Sequence, residues 1–275
     1  MKITASEVNK LRQQTGAGMM DCKKALQEAN GDFDAAVDIL RKKGQKVAAK
    51  REDRDAAEGL VLADVTSDNK KGALIVLNCE TDFVAKNEEF GKVARSILNT
   101  ALNESPSDLE SLKALKYDGG DFTISEKITE EIGKIGEKID LSHYGKIEAE
   151  KVVAYNHPGN SLGSMVGFSK DIDDDTARDI AMQVAAMAPV SITEDSVPQD
   201  VIDRELQVGK DQAIEEGKPE DLAEKIAQGR LKKFFKESTL LNQAFIKDNK
   251  KSISQVLKEA GDGVTVTKFV REALG

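Results

Sequence analysis

The chain has 275 residues, enough to bury a core in more than one unit, since domains usually run to ~100–200 residues. It is 39% hydrophobic, 32% charged and net −9, with 4% aromatics and no Trp; so acidic a chain, poor in stacking rings, argues against direct nucleic-acid binding. No apolar run approaches the ~18 residues of a membrane span, and Cys22 and Cys79 stand far apart outside any CxxC, which suggests neither a disulfide framework nor a zinc site.

The opening MKITASEV lacks the apolar core of a signal peptide, so a reduced, cytoplasmic protein is expected. Ser6 is placed to cap a first helix carrying Val8 and Leu11, which stops at TGAG, residues 15–18. Residues 19–29 form a second helix, stopped by Asn30-Gly31, and Asp32 caps a third that runs through Leu40 and stops at Gly44. These make a three-helix domain which, with a basic linker, occupies residues 1–55; so small a core leaves little room for catalysis, and binding is its expected use. The cluster Arg41, Lys42, Lys43, Lys46, Lys50, Arg51 and Arg54 reads as a solvated helix end and linker, with a nucleic-acid patch as the competing reading.

The remainder repeats itself when Gly72 is aligned with Gly163, an offset of 91. GLVLADVTSDNKKGALIVLNCETD, from Gly59, and KVVAYNHPGNSLGSMVGFSKD, from Lys151, both read strand, turn, strand, then helix. The helices carry Val93, Ala94, Ile97, Leu98 and Ala101 in one copy and Ile180, Ala181, Val184, Ala185 and Ala188 in the other. The fold class is therefore α+β, with related core subdomains over residues 56–142 and 143–275. A charged helical hairpin is inserted into the second at about 200–235: Ile202, Leu206, Gly209 and Ala213 follow 4-3-4 spacing, GKPED turns the chain, and Leu222, Ile226 and Gly229 return. The alternating VTVTKFV reads as a last strand.

No catalytic constellation stands out. TGAG lacks the Lys-Ser/Thr of a phosphate loop. Cys79 and His157 could be drawn as nucleophile and base, but nothing supplies an orienting group or oxyanion hole. Glu88-Glu89 and Asp173-Asp174-Asp175 suit helix first turns, where the dipole favours negative charge. No enzyme, cofactor or metal ligand is expected. One juxtaposition stands apart: Asp82 and Phe83, in NCETDFVAKNEEF, meet where an apolar run becomes helical. Either Thr81 or Asp82 caps that helix while Phe83 staples its first turn to the sheet, or Phe83 is an exposed aromatic wedge of the kind that anchors protein interfaces. At offset 91 the pair falls opposite Asp173 and Asp174, which favours exposure.

With LRQQTGAGMMDCKKALQEANGD, NCETDFVAKNEEF, KIGEKI, IAMQVAAMAP and GKPEDLAEKIAQGRLKKFFKESTLLNQAF in order, the chain resembles the bacterial elongation factor Ts family from end to end. The resemblance implies a translation elongation factor, the guanine-nucleotide exchange factor of the GTPase elongation factor Tu. It also implies a ubiquitin-associated-like N-terminal domain, a core of two related subdomains and a coiled-coil arm, and it leaves self-association through that arm open. A protein-binding adaptor for ubiquitin-like domains or the ribosome, built on the three-helix unit, is the rival class.

Roles carry over where motifs match. Arg12, Met19, Met20 and Lys23 match a contact with the partner's GTPase domain. Asp82 and Phe83, flanked by Thr81 and Val84, match a wedge inserted near the partner's nucleotide and magnesium site, and Ile135 and Gly136 match a neighbouring contact. His157 matches a contact with the partner's β-barrel end. Ile246 belongs to a further contact, weakened because Ile246-Lys247 stands where many relatives have two apolar residues.

Overall fold

In the computed structural model, which describes residues 3–275, α1 (Ala5–Thr15) opens at Thr4 rather than Ser6. The reason is a capping box: the Thr4 hydroxyl accepts the Glu7 amide while the Glu7 carboxylate accepts the Thr4 amide, so two orphan donors are satisfied together. Gly16, at φ +69°, ends the helix in the left-handed conformation that glycine tolerates. α2 (Met19–Glu28) follows, and Asp32 caps α3 (Phe33–Arg51) by accepting the Ala35 amide. Val8, Leu11, Cys22, Ala25, Leu26 and Ala36 form the core of these three helices.

Two strands, β1 (Glu58–Val65) and β2 (Lys71–Cys79), lead into a one-turn helix, α4 (Asp82–Ala85), and the long α5 (Glu88–Glu104). After α6 (Leu109–Ala114), a second capping box between Thr123 and Glu126 starts α7 (Ile124–Ile135), and β3 (Ile139–Glu148) completes the sheet in the order β1-β2-β3. Next come β4 (Lys151–Asn156), β5 (Leu162–Phe168) and α8 (Asp174–Met187). Two helices joined by a short turn, α9 (Gln199–Glu215) and α10 (Glu220–Ser238), form a hairpin. The chain closes with β6 (Ala244–Phe245), β7 (Asp248–Ser252), α11 (Ile253–Ala260) and β8 (Val266–Ala273), which joins a sheet ordered β4-β5-β8.

The chain gathers into two compact units, one of residues up to 62, 75–145 and 273–275, the other of residues 63–74 and 146–272. In the first, the expected stop at Gly44 is corrected. α3 runs seven residues further, because Gly44 is a crossing point: a Cβ on Gly133 of α7 would lie 2.8 Å from the Gly44 Cα. Two glycines at a crossing let backbones touch, which no capping role requires. The basic run is accordingly helix rather than free linker up to Arg51, with Arg41 stacked over the Phe122 ring at 4.0 Å and Lys43 paired with Asp21.

In the second unit α8 packs on β4 and β5, with Val166, Phe168, Ile180, Val184, Leu240 and Leu257 fully buried or nearly so. The Asn156 side-chain amide pairs with both the N–H and C=O of Ala63 at 2.8 Å, as a neighbouring peptide would. In the hairpin Gly209 lets α9 approach Ala227 of α10, and Arg230 ties the two helices by donating to the Gly209 carbonyl, Gln212 and Glu216.

The two strand-strand-helix segments differ in one respect. Gly72 and Gly163 stand 91 apart, yet the buried Val93, Ala94, Ile97 and Leu98 of α5 answer to Ile180, Ala181, Val184 and Ala185 of α8, 87 apart. The difference is α4, four residues long. Asp82 and Phe83 thus have no counterpart in the second segment, and the pairing with Asp173 and Asp174 at a uniform offset does not hold.

Candidate partner-binding site

Two helix starts crowd the stretch after β2. The Thr81 hydroxyl accepts the Val84 amide at 3.4 Å, and six residues later the Asn87 side chain accepts the amides of Glu89 and Phe90. The second cap ends α4 after one turn. Phe90, one turn into α5, is buried, whereas Phe83 is 83% exposed and Val84 is half-buried. An apolar ring so exposed contributes nothing to a core, so the stapling reading of Phe83 is excluded. Beside it, Asp82 pairs with Lys86 at 2.6 Å, and that ammonium holds the carboxyl below its ordinary value.

A single helical turn is marginal in water, and α4 is fixed from outside. Glu137 accepts the Thr81 amide at 3.1 Å and the Thr81 hydroxyl at 2.8 Å. Glu137 is placed by the end of α7, where Gly136 at φ +80° donates its amide to the Ile132 carbonyl. Ile135 and Gly136 therefore belong to the same constellation as Thr81, Asp82, Phe83 and Val84. Glu80 reaches the other way, accepting the Lys138 amide at 2.6 Å and Arg51 at 2.7 Å. The Lys138 ammonium in turn donates to the carbonyls of Glu52 and Arg54 beyond the end of α3. Reading the sequence missed Glu80 and Glu137; the signal was one acid in each motif, ETD and KIGEK, that neither a helix cap nor the apolar pattern explained.

Cys79 offers no nucleophile. Its thiol is buried, donates to the Thr81 carbonyl at 3.2 Å, and is pushed up to about 11 by burial, so it stays protonated near neutrality.

Arg12, Met19, Met20 and Lys23 all face solvent, with Met19 and Met20 50% and 62% exposed. The core face of α2 is instead Cys22, Ala25 and Leu26. Two exposed methionines at a helix start, between two cations, form an adaptable apolar patch. In the second unit His157 heads the turn between β4 and β5, exposed, with Nδ1 3.0 Å from the Tyr155 hydroxyl. Ile246 is 40% exposed at the β6-β7 turn, where its amide donates to the buried Gln183 at 2.8 Å, and Lys247 pairs with Asp179 at 2.6 Å. Tyr155 and Pro158 line one open cleft together with Lys247, so the His157 and Ile246 turns border a common surface. Among the described residues no helix is long and apolar enough to cross a membrane.

The first unit thus exposes an aromatic ring on a braced turn, Phe83, and an apolar patch at Met19 and Met20. Residues 80–275 match the family model described as Elongation factor TS. Proteins named Elongation factor Ts from Christiangramia forsetii and Amoebophilus asiaticus are each 52% identical over the whole of this chain and 99% and 100% of their own lengths. One from Aquifex aeolicus is 44% identical over the whole chain and 99% of its own. The chain belongs to the elongation factor Ts family, and its role is in the elongation stage of protein biosynthesis.

Proposed function

We propose that the protein is the guanine-nucleotide exchange factor of elongation factor Tu, acting in the cytoplasm as a binding protein with no catalytic group, cofactor or metal of its own. The observation that carries this reading is Phe83, 83% exposed on a turn braced from two sides. A GTPase holds GDP through backbone amides around its phosphates and through magnesium, contacts that are individually strong and lost on small displacements. Phe83 enters an apolar pocket of the GTPase domain while Asp82 faces the nucleotide and magnesium site, and Ile135 and Gly136 support the same contact. Arg12, Met19, Met20 and Lys23 dock the N-terminal helices on the GTPase domain, and His157 with Ile246 meets the β-barrel end. Linkage then requires that rebound nucleotide weaken the complex by the factor by which the complex weakens nucleotide, so the factor is released after each cycle.

In this reading α1, α2 and α3 are a ubiquitin-associated-like docking module within residues 1–55. Residues 56–142 and 143–275 are related core subdomains, and α9-α10 is a coiled-coil arm that leaves self-association available. Neither nucleic acid nor membrane is a partner. The test is release of labelled GDP from elongation factor Tu with and without this protein; an unchanged release rate at saturating concentration would overturn the reading.

A further inference from the structure

β2 ends at Cys79 and β3 begins at Ile139, and just outside both ends two carboxylates cross. Glu80 accepts the amide of Lys138, and Glu137 accepts the amide of Thr81. Each acid takes the backbone N–H next to the other acid, so the pairing is reciprocal. The arrangement satisfies two amides that the strands no longer pair, using charged acceptors that form the stronger class of hydrogen bond. Only one of the two also holds the side chain that caps α4: Glu137 accepts the Thr81 hydroxyl. The other is held by Arg51 at the end of α3. Both connections lie within the first unit.

We propose that this reciprocal carboxylate clasp sets the direction of Phe83, with Glu137 as the positioning residue for the wedge and Glu80 as the link that ties the wedge to α3. The inference rests on the exchange reading above. Glu137 bonds to the Thr81 amide and hydroxyl and acts through them. Without it, α4 keeps its Asp82-Lys86 pair and the Cys79 thiol's bond to the Thr81 carbonyl, but Thr81 loses the acceptor of both its amide and its hydroxyl, and Phe83 samples directions that do not enter the pocket. The loss falls on the step in which nucleotide is expelled and not on docking by Arg12 and the methionines.

The test measures labelled GDP release from elongation factor Tu over a range of factor concentrations, with thermal unfolding in parallel. The panel is the parental protein, Phe83→Ala, Glu137→Gln, Glu137→Ala and the Phe83→Ala/Glu137→Ala double variant. Glu137→Ala is expected to lower the maximal release rate about tenfold, the decade that one charge-assisted contact controls, while the half-saturating concentration stays within about twofold. Glu137→Gln, which keeps one acceptor oxygen for Thr81, falls between. The double variant is no slower than Phe83→Ala alone, because a positioning residue has nothing left to position. Losses that multiply in the double variant, or a parental maximal rate for Glu137→Ala, would overturn the clasp while leaving the exchange reading intact. A Phe83→Ala protein with the parental rate sinks both. Where Glu137→Ala proves unfolded, Glu137→Gln combined with Phe83→Ala decides by the same comparison.

Discussion

The turns that follow β2 and β5 solve one problem in two ways. After β5 the chain enters α8 directly: Asp173 caps it, and the buried Lys151 ammonium binds Asp171, Asp174 and the Ile172 carbonyl, closing the turn onto the start of β4. After β2 four extra residues stand out as α4, and carboxylates brace that turn from its flanks while its one large apolar side chain faces solvent. The first turn spends its charges on stability. The second spends them on holding an exposed ring in place, which a protein that needed only to fold would not do. Substitutions in the two turns should therefore separate stability from exchange.

The largest effect is expected for Phe83→Ala. Truncating an interface anchor typically costs ~2–4 kcal/mol and burying a Phe is worth ~1.5–3 kcal/mol, so GDP release should slow by roughly one to three decades. The melting temperature should barely move, since the ring is exposed; a marked fall would show that it is core after all. Asp174→Ala is the mirror experiment. At an exposed, unlinked carboxylate it would be a neutral control, but here it removes a charge-assisted partner of a buried ammonium. A loss of about 1–2 kcal/mol is expected, which lowers the melting point by several degrees at roughly 2–4 °C per kcal/mol, with exchange near parental. If both variants lose the same property, the contrast between the turns is broken.

A finer test is pH. The Lys138 amide, and then Arg51, hold the Glu80 carboxyl below its ordinary value of 4.5. A depressed acid contributes its stability fully above the unfolded value and loses it as pH falls through the folded one. The gap in stability between parental protein and Glu80→Gln should thus be flat above about pH 5 and close as the medium is acidified below that, measured by urea unfolding. A gap that widens on acidification would reverse the assignment. The smallest effect is expected from deleting residues 200–235 and joining the ends by a short linker, because the α9-α10 seam is internal to the hairpin. GDP release should stay within about threefold, a change of under 1 kcal/mol; loss of most activity in a folded protein would move the arm into the exchange surface.

What could be read from the sequence followed how local its cause was. Asp32 as a cap and Gly16 as a stop depend on neighbours within one turn. The Thr4 cap was equally local, since Thr4-Ala-Ser-Glu7 spells a capping box, yet Ser6 stood nearer the apolar residues. Gly44 looked like a stop because its true reason, Gly133, lies far along the chain. Exposure of Phe83, one of two readings left open, was favoured by a repeat alignment whose register is four residues off over the helices. The exposure is real, but its cause is an inserted turn and not equivalence with Asp174. The acids Glu80 and Glu137 stood in plain view within their motifs, but their pairing did not, because each one's partner amide belongs to the other's segment.

The glycine crossing of α3 on α7 has a consequence for how a partner would be met. A flexible tether would let the N-terminal helices and the Thr81 turn search separately, and the second contact would then depend on tether length. Here roughly 28 Å of continuous helix, the 19 residues of α3, is set backbone to backbone on the helix whose end supports that turn. In the proposed exchange reading, once one patch touches, the other is already aimed, and its ordering entropy has been spent during folding rather than at the encounter.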